Sequence, residues 1–199
     1  MNRINKPSPA LALLIAGALS LAGCGASAPA EEPPLAGAAI GGDFALTASD
    51  GRTVKWGDFK GKYRVVYFGY AFCPDVCPTD MQRVAQGLKV LKGQDPAKAA
   101  KIQPIFITID PERDTQKVVG EFAAAFSPDI IGLTGTPEQI AATAKAFKVY
   151  YAKGETTPGG GYLVDHSNIP TCSAPMARRL PPCRPTRAPM RWQRNWPNG

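Results

Sequence analysis

The sequence predicts an α/β fold with a largely parallel sheet, and two observations lead to that prediction. β-Branched and aromatic runs typical of buried strands recur along the middle of the chain. Segments with an apolar residue at every third or fourth position, typical of helices, separate these runs. Strands that alternate with helix-length segments indicate βαβ units. The chain has 199 residues, 44% of them hydrophobic, which is enough for one such domain with additional terminal segments.

The predicted elements follow one another in a regular order. Polar and apolar residues alternate on both sides of a turn, which predicts an early hairpin at residues 43–56. The other predicted strands lie at residues 63–70, 102–109, 130–133, 149–151 and 162–164. Helices are predicted at residues 81–91, 118–126 and 137–147. The last helix has a clear start, because Thr136 is typical of an N-cap, Pro137 of the first helical position, and Gln139 completes a capping box.

The formal net charge of +7 comes from the two ends of the chain. Residues 172–199 contain six arginines and no acidic residue, and residues 1–24 add Arg3 and Lys6. Residues 25–171 contain 15 basic and 16 acidic residues, so the body carries a charge of −1. A nucleic-acid-binding domain needs positive charge clustered on a folded face. The distribution of charge therefore argues against nucleic acid as a partner.

The first 24 residues predict export and a lipid anchor. Arg3 and Lys6 precede an apolar run at residues 11–19, which is too short to span a membrane comfortably. The run leads into Leu21-Ala22-Gly23-Cys24, which resembles a bacterial lipobox. We therefore expect residues 1–23 to be a lipoprotein signal peptide and Cys24 to be lipidated. The alternative is an ordinary cleaved signal peptide. Residues 24–40 are small and proline-rich, and are expected to form a flexible tether from membrane to domain.

Cys73 and Cys77 lie between the strand predicted at 63–70 and the following helix. A helix N-terminus presents free N–H groups and a positive dipole end, which favour thiolate over thiol. On a first helical turn, a spacing of four places both sulfurs on one side, with Cβ atoms roughly 5–6 Å apart. Thiolates favour Cu(I), zinc or an iron–sulfur cluster, and the body has no second cysteine pair for a four-sulfur site. Spacing alone leaves a metal site, a structural disulfide and a redox pair open.

His166 is the only histidine in the chain. A lone histidine is more often structural or simply exposed than a ligand. This one, however, follows an apolar strand, and strand ends are where sites form in α/β sheets. It is also the only imidazole available to Cys73 and Cys77, and two sulfurs with one nitrogen make a natural three-coordinate Cu(I) site. Asp165 is expected either to help orient the imidazole ring or to be a turn residue at the strand end.

Three motifs in this order resemble the Sco/SenC family of membrane-anchored copper proteins. They are Phe68-Gly69-Tyr70 leading into Cys73-Pro74-Asp75-Val76-Cys77-Pro78, then Thr108-Ile109-Asp110-Pro111-Glu112-Arg113-Asp114-Thr115, then Val164-Asp165-His166-Ser167. The resemblance runs from about Gly41 to Pro170. It implies a thioredoxin-like sandwich in residues 41–170, with copper held by Cys73, Cys77 and His166. We interpret the Asp110–Asp114 motif as a loop and helix cap that shape the wall of the site.

The resemblance also implies a function. Proteins of this family deliver copper to the binuclear Cu(A) centre of cytochrome c oxidase subunit II, or reduce the thiols that receive the copper. This would place the chain on the periplasmic side of the cell membrane. The alternative is a periplasmic thiol-disulfide oxidoreductase in which Cys73 and Cys77 exchange with a partner disulfide and no metal is needed. His166 distinguishes the two hypotheses, since a pure dithiol reductase has no use for it. A thioredoxin-type peroxidase is a remote third, because no Thr-x-x-Cys peroxidatic pattern is present.

The resemblance stops after Pro170. Residues 171–199 show no periodicity, and the last 28 residues contain six prolines, so we expect an aberrant, disordered tail and the loss of the family's last strands and helix. Read one base earlier, codons for residues 171–177 can encode Tyr-Leu-Phe-Gly-Pro-Asp-Gly, the continuation that the family implies. The sequence therefore favours a frameshift over a genuine basic tail that binds anionic lipid. Cys172 and Cys183 are treated as incidental.

Overall fold

The computed structural model of the chain describes residues 40–156 and 161–174. The predicted signal peptide, Cys24 and nearly all of the tether lie outside the described residues. So do residues 157–160 and the tail from residue 175. The expectations for those segments therefore stay predictions.

The described residues form eight strands and four α-helices in the predicted alternating order. The strands are β1 Ala45–Ala48, β2 Thr53–Lys55, β3 Tyr63–Gly69, β4 Ile102–Thr108, β5 Ile131–Thr134, β6 Tyr151–Thr156, β7 Tyr162–His166 and β8 Thr171–Ser173. The helices are α1 Val76–Gln94, α2 Pro96–Ala99, α3 Gln116–Phe126 and α4 Pro137–Ala146. A 3₁₀ helix at Trp56–Phe59 and the short α2 were not predicted. Among the described residues, no helix has the length and apolarity needed to cross a membrane.

Six strands form one sheet in the order β2-β1-β5-β4-β3-β8. The centre is parallel, because β4 pairs in parallel with both β3 and β5. The outer pairings are antiparallel, so the prediction of a largely parallel sheet holds for the centre alone. Every residue of β4 is buried, as expected for a central strand covered on both faces. The carboxyl ends of β3 and β4 meet at one edge of the sheet, where α/β proteins usually bind ligands.

The two strands β6 and β7 form a separate two-stranded sheet. Tyr151 lies opposite His166 in their antiparallel register. A two-stranded hairpin is marginally stable by itself in water. The position of this hairpin therefore depends on the contacts that its side chains and its backbone make with the rest of the domain.

The start of α4 forms as the sequence predicts. The Thr136 hydroxyl accepts a hydrogen bond from the Gln139 N–H at 3.3 Å, and the Gln139 side chain accepts one from the Thr136 N–H at 2.8 Å. Together with Pro137 at the first helical position, these contacts satisfy backbone donors that the helix itself leaves unpaired.

Thr136→Ala is expected to lower the free energy of unfolding by about 1 kcal/mol, because the helix loses its N-cap acceptor. Chemical denaturation of the variant and the parent chain measures the difference. Thr136→Ser keeps a hydroxyl acceptor and serves as the matched control, with a much smaller loss expected. Equal stability of Thr136→Ala and the parent would contradict this account of the helix start.

The prediction that no element follows residue 170 is wrong for residues 171–173. These residues form β8, which pairs antiparallel with β3 so that Val65 lies opposite Cys172. The edge of β3 offers unpaired backbone groups, and an adjacent extended segment can satisfy them whatever its side chains. Cys172 is buried beside Val65, Val84 and Leu88, and the prolines begin only at residue 175. β8 therefore covers the edge of the sheet along the first half of β3.

Candidate metal centre

Cys73 lies in the loop between β3 and α1, and Cys77 is the second residue of α1. The sequence placed both on the first helical turn, which is wrong for Cys73. Pro74 explains the difference, since the residue before a proline is disfavoured in helical conformation. The Cys73 sulfur instead accepts a hydrogen bond from the Cys77 N–H at 3.5 Å. It thereby contacts the helix N-terminus, where the Asp75 side chain makes no capping hydrogen bond.

His166 brings the third donor atom from the end of β7. Its Nε2 lies 3.3 Å from the Cys77 sulfur. The two sulfurs and a ring nitrogen of His166 all lie within 4.8 Å of one another, although 89 residues separate Cys77 from His166. Both cysteines are free and buried. The structure thus assembles the three side chains that the sequence selected.

The orientation of the imidazole is fixed by a backbone carbonyl. His166 Nδ1 lies 3.0 Å from the carbonyl oxygen of Ser167, which can only accept a hydrogen bond. Nδ1 therefore carries the proton in the neutral ring, and the lone pair of Nε2 faces the sulfurs. The expectation that Asp165 orients the ring is wrong, because successive side chains of a strand point to opposite faces. Asp165 is exposed and lies within β7 opposite Ala152, so it is not a turn residue at the strand end either.

Two tyrosines that sequence reasoning missed enclose the imidazole. The rings of Tyr67 and Tyr70 meet that of His166 edge-on, with centroids 6.4 and 5.9 Å away. The Tyr67 hydroxyl donates to Asp80 at 3.2 Å, and the Tyr70 hydroxyl accepts the N–H of Val164 at 3.2 Å. A signal was present in the sequence, since both tyrosines lie in the second half of the predicted strand that leads to the cysteines.

Burial governs the electrostatics of the site. It raises the pKa of the Cys77 thiol well above its ordinary value, which outweighs the effect expected from the helix N-terminus. Burial likewise raises the pKa of Tyr67. It also raises the pKa of Asp80, against the opposing effect of hydrogen bonds from Tyr67 and Arg83. Burial thus disfavours the charged forms of these groups, and a cation that binds the Cys77 sulfur has to displace the proton of that thiol.

The Asp110–Asp114 motif forms a wall of the site, as the sequence predicts. Asp114 is fully buried, and its Oδ2 accepts hydrogen bonds from the Ala71 N–H at 2.9 Å and from the Thr108 hydroxyl at 2.7 Å. Ala71 is two residues before Cys73, so this carboxyl group fixes the loop that carries the first sulfur. Thr115 caps α3 immediately after the motif.

The donor set fits a soft metal ion. Two thiols and one imidazole nitrogen match the preference of Cu(I) for sulfur and its tolerance of imidazole. In residues 40–156 and 161–174, this is the one group of three or more cysteine, histidine or acidic side chains close enough to share an ion. Two adjacent free thiols can also exchange with a disulfide, so the geometry alone permits both chemistries.

The fold and the site define a thioredoxin-like protein with a Cys-Cys-His group at the carboxyl edge of its sheet. The chain belongs to the SCO1/SenC family, whose sequence model matches residues 32–172. It is 47% identical over 135 residues to the protein SenC of Rhodobacter capsulatus, an alignment that covers 66% of this chain and 58% of SenC. The chain spans about half the length of the curated relatives it matches.

Solved structures agree with this assignment. The structure of Bradyrhizobium japonicum ScoI with copper bound matches with a TM-score of 0.70 and 37% identity, over 76% of this chain and 94% of ScoI. BsSco, described as a member of the Sco family of cytochrome c oxidase assembly proteins, matches with a TM-score of 0.59 over 79% of this chain and 88% of BsSco. Its identity is 21%, so that likeness concerns the fold alone.

Proposed function

We propose that this protein binds one Cu(I) through Cys73, Cys77 and His166 and hands it to the Cu(A) centre of cytochrome c oxidase subunit II. The observation that carries the proposal is the convergence of two sulfurs and one imidazole nitrogen within 4.8 Å. The likeness to a copper-bound relative supports the choice of metal. Membership of the SCO1/SenC family, which is linked to cytochrome c oxidase assembly, supports the choice of partner.

The three ligands differ in access, which suits a site that has to release its cargo. Cys77 is completely buried, Cys73 is slightly exposed and His166 is partly exposed. Acceptor ligands would therefore reach the ion first from the side of Cys73 and His166. Phe72 and Ile169, which are about half exposed, lie in the two segments that carry these ligands and offer apolar surface to a partner.

The location that we propose is the periplasmic side of the cell membrane, with a lipid on Cys24 as the anchor. Residues 25–39 would then serve as the tether between the lipid and the first described residue. Stable attachment needs two or more acyl chains, which a lipidated N-terminal cysteine supplies.

A Cu(I) titration of the reduced full chain, carrying Cys24→Ser so that this thiol does not compete, tests the proposal. One tight equivalent is expected for the parent. His166→Ala is expected to weaken binding by about 10-fold or more, because one of three ligands is lost. A chelator of known Cu(I) affinity, in competition with the protein, supplies the measurement.

The second candidate is a thiol-disulfide oxidoreductase, favoured by the two adjacent free thiols. In that reaction Cys73 and Cys77 lose two electrons and two protons as their disulfide forms, and a partner disulfide becomes two thiols. A folded chain without tight Cu(I) binding, whose reduction of a disulfide substrate is the same in the parent and in His166→Ala, would replace the copper proposal with this one.

A further inference from the structure

The side chain of Arg113 lies between the segments that carry the metal ligands. Its Nη1 donates to the carbonyl oxygen of Tyr162 at 3.0 Å, and its guanidinium carbon lies 3.6 Å from the centroid of the Tyr162 ring. The same carbon lies 5.6 Å from the ring of Tyr70 and 5.3 Å from that of Phe72. One cation thus contacts the first residue of β7 and two residues of the cysteine loop.

A carboxylate holds this guanidinium in place. Asp110 accepts a hydrogen bond from Arg113 Nε through one oxygen and from the Tyr162 hydroxyl, at 2.7 Å, through the other. Arg113 is about three-quarters buried, and cation–π contacts strengthen as the cation loses water. The planar guanidinium can stack on a ring and donate in its plane at the same time, which an ammonium group cannot do.

The hairpin of β6 and β7 depends on such contacts for its position. It shares no backbone pairing with the six-stranded sheet in the described part of the chain. Polar contacts that join it to the site wall include those of Arg113 and Asp110 with Tyr162, the Tyr162 hydroxyl with Glu112 at 3.4 Å, the Val164 N–H on the Tyr70 hydroxyl, and the ion pair of Lys153 with Glu112 at 2.8 Å. Lys153 and Glu112 are largely exposed, and a surface pair contributes little. Arg113 and Tyr70 are therefore the main fixed points.

We propose that Arg113 is a positioning residue for His166. By clamping Tyr162 against the cysteine loop, it sets where β7 ends and how close the imidazole comes to the sulfurs. His166 is only four residues beyond Tyr162 on the same strand, so a shift of the strand moves Nε2 with it. This inference rests on the proposed function, because it takes copper, as Cu(I) or Cu(II), to be the metal at the site.

The clamp is expected to affect the binding of Cu(II) more than the binding of Cu(I). Cu(I) is held mainly by the soft thiolates, whereas Cu(II) depends more strongly on imidazole nitrogen. Loosening the clamp is expected to weaken Cu(II) binding by about 10-fold or more, the usual effect of losing a residue that orients a ligand. Cu(I) binding is expected to change by less than about threefold. The clamp would thus govern which oxidation state the site retains.

Arg113→Lys in the full chain tests the proposal, since it keeps the charge and removes the planar stack. Arg64→Lys is the matched control. Arg64 is also buried, lies 4.1 Å from the ring of Trp56 and donates to the carbonyl oxygen of Phe59, but it sits at the opposite end of β3. It is expected to leave copper binding unchanged.

Two readouts are needed, and one of them requires no metal. Because His166 is the only histidine, nitrogen NMR of the metal-free chain shows a single imidazole. We expect one tautomer with Nδ1 protonated in the parent and in Arg64→Lys, and averaged signals in Arg113→Lys. The second readout is Cu(II) affinity together with the nitrogen coupling in the EPR spectrum, with His166→Ala as the reference for complete loss.

An unchanged imidazole spectrum and unchanged Cu(II) affinity in Arg113→Lys, with both altered in His166→Ala, would overturn the proposal. If Arg113→Lys does not fold, Tyr162→Leu removes the stacked ring and keeps the carbonyl acceptor. The same two readouts then decide, and parent-like values again count against the clamp. If the parent binds no copper, the proposed function fails, while the imidazole spectrum still shows whether Arg113 positions His166.

Discussion

Replacing Cys77 by serine is expected to weaken Cu(I) binding by about a hundredfold or more and to remove the part of its pH dependence that this thiol contributes. Structural Zn²⁺ in zinc-finger peptides binds with roughly 10–16 kcal/mol through four ligands, so each ligand of such a site carries a substantial share. Cys77 is also the deepest of the three ligands, with no exposed surface. A serine hydroxyl fits the space but offers no soft donor to copper.

The pH dependence follows from the sign of the pKa shift. Burial raises the pKa of Cys77, so the metal-free thiol keeps its proton through the neutral range. Copper binds the thiolate, and binding therefore releases that proton. Each unit of pH is expected to tighten binding about tenfold on account of this thiol, or about a hundredfold from pH 6 to pH 8.

Chelator competition at several pH values measures both effects. Cys73→Ser is the matched comparison, because it removes one sulfur and keeps the buried thiol. Its binding should be weaker than that of the parent but should keep the tenfold change that Cys77 contributes. Equal pH slopes in Cys77→Ser and in the parent would contradict the assignment of the displaced proton to Cys77.

Gly69→Ala is expected to damage both the site and the core. A Cβ at this position would lie 2.7 Å from the Cys77 sulfur, 2.9 Å from a ring carbon of Tyr67 and 3.3 Å from one of Phe106. All three neighbours are fully or almost fully buried and cannot yield without displacing others. Overpacking of this kind costs about 1–3 kcal/mol of stability. Because the sulfur is the nearest neighbour, Cu(I) affinity should fall as well, by about 10-fold.

Gly93→Ala provides the control for the Gly69 variant. Gly93 lies near the end of α1, and an added Cβ there would meet nothing within 4 Å. Alanine at that helical position is expected to add about 0.5 kcal/mol of stability and to leave copper binding unchanged. Denaturant unfolding and chelator competition are the measurements. A Gly69→Ala chain with the stability and Cu(I) affinity of the parent would contradict the expected clash between a Cβ at this position and the Cys77 sulfur.

The three candidate ligands could be selected from the sequence because each carries a local signal. Cys73 and Cys77 follow a long apolar strand, and His166 is the chain's sole imidazole at the end of another. The strands and helices could be predicted for the same reason, since periodicity and caps such as Thr136 are local. The sequence did not reveal how deeply Cys77 is buried, and the pKa of its thiol depends on that burial. The helix N-terminus pointed to a lowered pKa, while the structure shows that burial raises it.

Long-range placement could not be predicted. Nothing near Tyr70 in the sequence reveals that its hydroxyl contacts the backbone of Val164, or that its ring lies against His166. The separation of the β6–β7 hairpin from the main sheet depends on pairing partners that periodicity does not identify. The orientation of Asp165 was missed because β7 continues to His166, two residues beyond the strand predicted at 162–164. The β6–β7 hairpin is also the element that the proposed Arg113 clamp holds in place.

The pairing of β8 with β3 bears on how freely the end of this chain can change during evolution. Backbone pairing does not distinguish one side chain from another, so selection at residues 171–173 acts mainly on the ability to extend. Cys172 and Ser173 are exceptions, because both side chains are buried, Cys172 opposite Val65 and Ser173 opposite Arg64. A lineage could therefore replace most of the sequence beyond Pro170 and still retain the strand beside β3, leaving Cys73, Cys77 and His166 under much stricter constraint.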